Sequence, residues 1–249
     1  MTRFESEHDP SLKSPRAADL TVRAVVPVLD EAKGLSRVLA ALRAEPFDSV
    51  VAVDGGSRDD SVAIAREGGA EVRRETGGLA AQLNCGAQGG GEDVLFFVYA
   101  DSELPPRVVS QIREALADET VVAGAFSLRL RSDRPLFRWI SRGANWRSRL
   151  GLGPFGDQGI FVRRPVFEEL GGYRADRQLE DLDLVQRLRR RGRFQLLRST
   201  LGSSIRRWER HGLLITTAHH WWALGQHLVG VPRTPGVPTE LDRWRAGDR

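Results

Sequence analysis

The chain has 249 residues, of which 41% are hydrophobic and 28% are charged, and its formal net charge is +4. This balance is typical of a globular protein, and it excludes collagen-like, coiled-coil and wholly disordered chains. Only two of the 37 basic residues, Lys13 and Lys33, are lysines, so arginine carries the positive charge. The single cysteine, Cys85, excludes a disulfide framework and a cysteine-based metal cage, and it favours a reducing compartment such as the cytoplasm.

Three segments differ in composition. Residues 1–19 are charged, contain prolines and lack an apolar core, which is typical of a disordered leader rather than a signal peptide. Residues 20–210 are predicted to form one continuous domain, and residues 211–249 an amphipathic helical extension with a tail. The most apolar part of this extension is interrupted by histidines and a glutamine, unlike a membrane span of about 20 apolar residues.

Short β-branched runs alternate with helical patterns from Leu20 onward. This alternation predicts an α/β fold in which helices cover both faces of a mostly parallel sheet. In chain order, strands are predicted at 21–29, 49–54, 70–75, 94–100, 121–130, 160–163 and 194–197. Helices are predicted at 31–44, up to 66, at 79–87, 105–117, 136–150 and 180–191, and in the C-terminal extension. Residues 94–100 (VLFFVYA) are the most apolar run and are expected to form the central buried strand.

Carboxylates follow three of the predicted strands. Asp30 and Glu31 come after the first strand, Asp54 ends the second, and Asp101 and Glu103 follow the apolar strand. Because open α/β sheets bind ligands at the carboxyl ends of their strands, these residues are candidate ligand contacts. The glycines after Asp54 match neither a dinucleotide fingerprint nor a P-loop, which disfavours a nicotinamide enzyme. Carboxylates here suit an Mn²⁺ or Mg²⁺ ion that holds a diphosphate.

Four motifs, in this order, resemble those of family 2 glycosyltransferases. They are VVPVLDE at 25–31, VAVDGGSRDDS at 51–61, YADSELPP at 99–106 and LEDLDLVQRLRRRG at 179–192. The family has the GT-A fold, which is Rossmann-like. GDQGIFVRR at 156–164 and RRWERHG at 206–212 further resemble a bacterial subgroup of arsenosugar-biosynthesis-type glycosyltransferases.

The resemblance implies a hexosyltransferase that moves a sugar, with inversion, from a nucleotide-diphospho-sugar to a hydroxyl acceptor. UDP is the nucleotide that it favours. The first two motifs would place Pro27, Asp30, Glu31 and Asp54 around the nucleotide. The family usually carries asparagine where Asp30 stands, so this sequence departs from the family pattern at that position.

Two further segments are candidates for nucleotide contacts. Gln82 and Asn84 lie on the helix that follows a pair of glycines, where they could face the nucleotide. SIRRW at 204–208 resembles the family's Gln-x-x-Arg-Trp motif, which places Arg207 and Trp208 at the nucleotide. A solvated basic turn is the alternative for this segment.

The metal motif is altered. The family's motif is Asp-x-Asp, and residues 99–101 retain only its last member, Asp101. Two arrangements stay open: Glu103 supplies a second carboxylate, or Asp101 and the diphosphate hold the cation alone. The structural alternative is that Asp101 caps the helix predicted to open at Pro105 and Pro106.

Asp181 is the candidate catalytic base. Steps of three, four and seven residues from Asp181 reach apolar positions, so a helix that buries them also turns Asp181 inward. Asp183 instead reaches Arg187, which predicts a solvated pair on the helix surface. In the family, the aspartate of this Glu-Asp pair deprotonates the acceptor hydroxyl, and the resemblance gives this role to Asp181.

The glycine-rich turn at 151–159 offers groups suited to sugar hydroxyls. Asp157 and Gln158 present a carboxylate and an amide there, and Glu180 is placed on the same sugar-binding side. A simple tight turn is the alternative.

The C-terminal extension combines histidines with an aromatic stretch at 221–228. The histidines lack carboxylates on the same helical face, so we expect a structural role rather than a metal site. The aromatic stretch has four candidate partners: the active-site cleft, a second copy in a homodimer, the inner face of the membrane, or the chain's own domain.

Three other functions compete with sugar transfer. A nucleotidyltransferase on a similar fold is disfavoured because the loop after the first strand, PVLDEAKG at 27–34, is acidic. Nucleic-acid binding is disfavoured because the arginines are scattered rather than gathered on one face. A catalytically silent scaffold stays open because the Asp-x-Asp motif is altered.

Overall fold

The computed structural model describes residues 17–177 and 179–206, together with residues 209, 212, 222 and 225. The strands are β1 (Val22–Val28), β2 (Ser49–Asp54), β3 (Glu71–Arg74), β4 (Val94–Phe97), β5 (Val121–Leu130), β6 (Ile160–Arg163) and β7 (Arg193–Ser203). The α-helices are α1 (Ala32–Arg43), α2 (Ser61–Glu67), α3 (Leu79–Ala87), α4 (Val108–Ala115), α5 (Pro135–Arg147), α6 (Arg164–Glu169) and α7 (Glu180–Arg191). Short 3-10 turns span Ala17–Asp19 and Gly156–Gln158, and a π-helical turn, Ser148–Leu152, continues α5.

All these strands form one sheet in the order β3-β2-β1-β4-β6-β5-β7. β6 is antiparallel to its neighbours β4 and β5, and the other neighbouring pairs are parallel. β4 is the central strand, as its apolar sequence predicted. The predicted α/β class with a mostly parallel sheet is therefore confirmed.

Helices cover both faces of the sheet because alternate strand residues point to opposite sides. Val26 of β1 faces α1 and α4 and shares a core cluster with Leu35. Val25, one residue earlier, faces the opposite layer of α3, α6 and α7, where it clusters with Leu83 and Leu188. No helix among the described residues is long and apolar enough to cross a bilayer.

The segment after β4 departs from the sequence prediction. β4 ends at Phe97 instead of Ala100, and the amide of Ser102 closes a turn by donating to the carbonyl of Tyr99 at 3.0 Å. α4 begins at Val108, so the prolines at 105–106 precede the helix and do not open it. Asp101 is therefore too early in the chain to cap α4, whose N-cap residue is Arg107.

Two elements in the C-terminal half of the chain also differ from the sequence prediction. β7 spans Arg193–Ser203, far more than the predicted 194–197, because its pairing with β5 continues to Ser203 past the polar residues 198–200. α6 was not predicted. It follows β6 directly and buries Arg164, whose guanidinium bonds to Glu92 at 3.1 Å.

Candidate active site

The ends of β1, β2 and β4 lie side by side at one edge of the sheet, as parallel pairing requires. Val28, the last residue of β1, is the register partner of Asp54, the last residue of β2. Pro27 is buried in β1 beyond its last pairing with β4, where a residue without an N–H costs no ladder bond. The strand-end residues picked out by the sequence therefore share this edge.

The loops after β1 and β2 are bonded to each other through Ser57. Its hydroxyl accepts a hydrogen bond from the Asp30 amide at 3.1 Å, and its own amide donates to Oδ1 of Asp54 at 2.9 Å. The amide of Arg58 donates to Oδ1 of Asp30 at 2.7 Å. Asp30 adopts a φ of +52°, a conformation in which non-glycine residues are uncommon and which clusters at ligand sites. This rim of the site is thus held in one conformation.

Gln82 and Asn84 form hydrogen bonds to the backbone of segments that border the site. Gln82 is buried, and its Nε2 donates to the carbonyls of Val28 and Val53 at 3.1 and 3.0 Å, which joins the ends of β1 and β2. Asn84 donates to the carbonyl of Tyr173 and accepts from its amide, both at 2.8 Å. The nitrogen and the oxygen of the Asn84 carboxamide each have one partner inside the protein, and its contact with the nucleotide stays a prediction.

A guanidinium lies between two of the strand-end carboxylates. Nη2 of Arg206 donates to Oε2 of Glu31 at 2.6 Å and lies 3.6 Å from Oδ2 of Asp101. Burial raises the pKa of Glu31, and the negative charges of Asp101 and Asp59 add to this against the opposing effect of Arg206. Burial would lower the pKa of Arg206, but the bond to Glu31 and the charges of Glu31 and Asp101 outweigh it, and the pKa rises. Sequence reasoning missed Arg206, although it lies within the quoted SIRRW motif.

Glu103 has partners other than Arg206. Its Oε1 accepts from Arg129 at 2.7 Å, and its backbone pairs with Gly202 of β7. The guanidinium near Asp101 therefore pairs with Glu31, and Glu103 pairs with a different arginine; Glu103 as a second metal carboxylate stays a prediction. Among the described residues, no group of three or more histidine, cysteine, aspartate or glutamate side chains is arranged to hold a metal ion.

Asp181 lies in the first turn of α7 with 3% of its surface exposed. Its Oδ2 accepts a hydrogen bond from the amide of Gly156 at 2.5 Å, and its Oδ1 accepts from the amide of Leu182 at 2.8 Å. The predicted inward orientation is confirmed, because Leu184, Val185 and Leu188 are fully buried on the same helix. Each carboxylate oxygen thus has one fixed donor and retains a lone pair for another.

Tyr99 and Arg147 surround this carboxylate. A Cβ added to Gly156 would collide with the Tyr99 hydroxyl and lie 3.3 Å from Oδ2 of Asp181, so these groups meet at one point. Arg147 stacks 3.7 Å from the ring centroid of Phe155. Burial lowers the pKa of Arg147, while the charges of Asp157 and Asp181 act in the opposite direction. Arg147 is a second residue that the sequence analysis missed, because nothing in the sequence of α5 places it beside α7.

The predicted sugar contacts in and near the turn before β6 differ in burial and in their partners. Gln158 is completely buried: Nε2 donates to the carbonyl of Phe126 and Oε1 accepts from the hydroxyl of Ser148, both at 3.0 Å. This placement departs from the expected contact with a sugar and makes Gln158 a support of the turn. Asp157 is half-buried beside Arg147, and Glu180 is buried at the start of α7.

The expected solvated pair of Asp183 and Arg187 is wrong. Both residues are buried, and Nε of Arg187 donates to Oδ2 of Asp183 at 2.7 Å. The remaining nitrogens of Arg187 donate to the carbonyls of Leu170 and Gly172, because the segment after α6 folds over this side of α7. Arg207, Trp208, the four histidines of residues 211–249 and most of the aromatic stretch lie outside the described residues.

The sequence profile of glycosyl transferase family 2 matches residues 24–171. This match covers more than half of the chain. The chain belongs to glycosyl transferase family 2. Family membership supports sugar transfer over the nucleotidyltransferase alternative. It confirms the resemblance of the four motifs to family 2 glycosyltransferases.

Solved structures with the same fold include glycosyltransferases of low sequence identity. A mannosyltransferase from Pyrobaculum calidifontis, in complex with GDP-Man and Mn²⁺, is 18% identical with a TM-score of 0.66, covering 94% of this chain and 70% of that one. Glucosyl-3-phosphoglycerate synthase from Mycobacterium tuberculosis, in complex with Mn²⁺, UDP and its product, is 18% identical with a TM-score of 0.53, covering 75% and 71%.

S. aureus TarS in complex with UDP-GlcNAc is 15% identical with a TM-score of 0.60, covering 74% of this chain and 58% of that one. At these identities the likeness establishes the fold, which is GT-A. No curated protein matches the chain by sequence.

Proposed function

We propose that this glycosyltransferase moves a hexosyl group, with inversion, from a nucleotide-diphospho-sugar to a hydroxyl acceptor, and that Asp181 is the general base. The observation that carries the proposal is the buried carboxylate of Asp181, fixed by two backbone amides at the edge of the site. The acceptor oxygen attacks the anomeric carbon and its proton passes to Asp181. The bond from that carbon to the diphosphate oxygen breaks, and the nucleoside diphosphate departs.

Base catalysis needs a carboxylate that is held still and shielded from water. The amides of Gly156 and Leu182 restrain the side chain of Asp181 and leave one lone pair on each oxygen toward a hydroxyl. Arg147 lies beside it and carries a positive charge next to this carboxylate.

The departing diphosphate requires positive charge on the other side of the site. A divalent cation bound there would act as a Lewis acid on the leaving group. Hard carboxylate oxygens fit Mn²⁺ or Mg²⁺, and Asp101 and Glu31 are the residues that would hold it, since one guanidinium nitrogen already lies within 3.6 Å of both. Mn²⁺ is bound in the mannosyltransferase and glucosyl-3-phosphoglycerate synthase structures, which supports a cation here.

The nucleotide is expected over the rim formed by Asp30 and Asp54, with UDP preferred by the motif resemblance. GDP-Man in one structural relative and UDP or UDP-GlcNAc in two others make both nucleotides candidates to compare. The arsenosugar-type subgroup and a cytoplasmic location remain predictions from the sequence.

Replacement of Asp181 tests the proposed chemistry. We expect Asp181→Asn to reduce release of nucleoside diphosphate from the active nucleotide sugar by about 10²- to 10⁴-fold, with nucleotide affinity unchanged, because only the proton acceptor is lost. The matched control is Asp183→Asn on the same helix, which breaks the buried pair with Arg187. It should lower the melting temperature while largely preserving turnover. Turnover retained in Asp181→Asn would remove Asp181 as the base.

A further inference from the structure

Exposed apolar side chains are concentrated on α5 and the π-helical turn that continues it. Four of the six large hydrophobic residues that are strongly exposed in the described part of the chain lie there: Leu136 (48% exposed), Trp139 (67%), Trp146 (66%) and Leu150 (59%). Two tryptophans that are each about two-thirds exposed to water are unfavourable on a surface that binds nothing, because their apolar rings remain hydrated. Their concentration on one element marks a surface that binds something.

These four residues form one stripe. Their positions, with Gly143 between the tryptophans, follow steps of three and four residues, so they lie on one side of the helix. A Cβ added to Gly143 meets nothing within 4 Å, which leaves this side open along its length. The opposite side is anchored to the sheet, where Phe137 packs on Leu128 and Leu130.

Arginines flank the stripe. Between residues 134 and 150 there is no aspartate or glutamate, and the exposed charged residues are all arginines: Arg134, Arg138, Arg142 and Arg149. Cζ of Arg142 lies 5.2 Å from the ring centroid of Trp139, so the cationic and aromatic groups form one surface. We call this surface of residues 134–150 the α5 face.

We propose that the α5 face docks the enzyme on an anionic lipid bilayer. Tryptophan and leucine are suited to the boundary between head groups and acyl chains, and arginine reaches up to the phosphates. The charge of the face is complementary to anionic lipid, because residues 134–150 carry four exposed arginines and no carboxylate, and the exposed Asp133 just before them offsets only one of these charges. A nucleic acid would satisfy the arginines but would leave Leu136 and Leu150 exposed.

The position of the α5 face gives docking a consequence for the enzyme. Arg147, at the end of α5, lies beside Asp157 and Asp181, and the π-helical turn leads directly into the turn that bonds Asp181. Docking would therefore bring the proposed base close to the membrane surface. The proposal itself stands on the α5 face alone and does not depend on the sugar-transfer chemistry.

Vesicle co-sedimentation of the full chain tests the proposal. We expect binding to vesicles of phosphatidylcholine mixed with phosphatidylglycerol, and little binding to phosphatidylcholine alone, because each arginine at an anionic surface strengthens binding about fivefold. The double variants Trp139→Ala/Trp146→Ala and Arg138→Gln/Arg142→Gln should each weaken binding by about tenfold or more. The matched control Arg43→Gln/Arg66→Gln removes the same charge from exposed positions on α1 and α2 and should bind like the parent.

Several results would overturn the proposal. They are absence of binding by the parent chain, equal binding to both vesicle types, and unchanged binding by both α5-face variants. Light scattering tests a second copy as the occupant: a parent dimer that Trp139→Ala/Trp146→Ala makes monomeric would replace the lipid. Binding to RNA but not to vesicles would replace the lipid by a nucleic acid as the partner of the α5 face. Each variant's nucleotide-induced thermal shift separates a failure of docking from a failure of the proposed function.

Discussion

Nη2 of Arg206 donates a 2.6 Å hydrogen bond to Oε2 of Glu31, which ties the residues after β7 to the loop after β1. The same nitrogen lies 3.6 Å from Oδ2 of Asp101, at the end of β4. A positive charge thus already lies between the two carboxylates that would hold the proposed divalent cation. Any metal ion that binds Asp101 and Glu31 must compete with this guanidinium.

Removing the guanidinium should therefore tighten metal binding. We expect Arg206→Gln to bind Mn²⁺ about three- to tenfold more tightly in the absence of nucleotide, since Arg206 is half-exposed and its pairing is partly screened. Mn²⁺ titration followed by electron paramagnetic resonance measures this directly. Arg129→Gln is the matched variant, because Arg129 pairs with Glu103 at 2.7 Å. Tightening in Arg129→Gln alone would make Glu103 the second carboxylate in place of Glu31.

The contact of Gly156 with Tyr99 and Asp181 makes Gly156→Ala a test of how the base is positioned. The new methyl group must displace the Tyr99 hydroxyl or the turn, which disturbs the 2.5 Å bond to Asp181. We expect kcat to fall by about tenfold or more, because small misplacements of a catalytic group are costly, with little change in KM for the donor. Gly143→Ala is the control: its methyl group meets nothing within 4 Å, so activity should be unchanged. Equal activity of the two variants would argue against a fixed geometry at Asp181.

Nucleotide binding should be visible as thermal stabilisation. A nucleoside diphosphate at about 100 times its Kd adds about 2.7 kcal/mol, or a Tm shift of about 5–10 °C for a chain of this size. We expect the largest shift with UDP and Mn²⁺ in a panel that includes GDP, CDP and ADP, and its loss in the presence of a chelator. A larger shift with GDP would replace UDP as the donor nucleotide. No shift with any nucleotide would favour the silent scaffold.

Glu92 should contribute to acid stability. It accepts hydrogen bonds from Ser49, Arg23 and Arg164 at 2.5, 3.1 and 3.1 Å. Burial would raise its pKa, but the hydrogen bonds from Ser49 and Arg23 and the charge of Arg23 outweigh it, and the pKa is lowered. The ionised Glu92 carboxylate therefore stabilises the folded state. This stabilisation is fully present above the unfolded pKa of about 4.3. It is lost as the pH falls through the lower folded pKa.

At neutral pH, Glu92→Gln should lower the free energy of unfolding by about 1–3 kcal/mol, because it weakens hydrogen bonds to charged groups. The difference from the parent should shrink on acidification, as measured by denaturant unfolding from neutral pH to below pH 4. Glu114→Gln, which breaks an exposed pair with Arg107, should cost less than about 1 kcal/mol. A constant difference at all pH values would contradict the assigned ionisation.

Local sequence determined most of the secondary structure and the edge of the sheet where the site lies. β2, α3, β5 and α7 have the predicted bounds, because each carries an uninterrupted hydrophobic period between clear breakers. The strand-end carboxylates could be located for the same reason, since parallel strands must end at one edge. β7 could not be predicted in full, because the polar residues 198–200 interrupt its apolar pattern before the buried end at 201–203.

The partners of the site residues were decided only by the tertiary structure. Gln158 and Asn84 look like ligand contacts in the sequence, yet both side chains are used to hold the backbone of distant segments. Asp183 becomes a buried ion pair because the segment after α6 covers it. Arg206 meets Glu31 across 175 positions of the chain. Periodicity and motifs report the local environment of a residue, whereas such long-range pairings arise only when separate segments pack together.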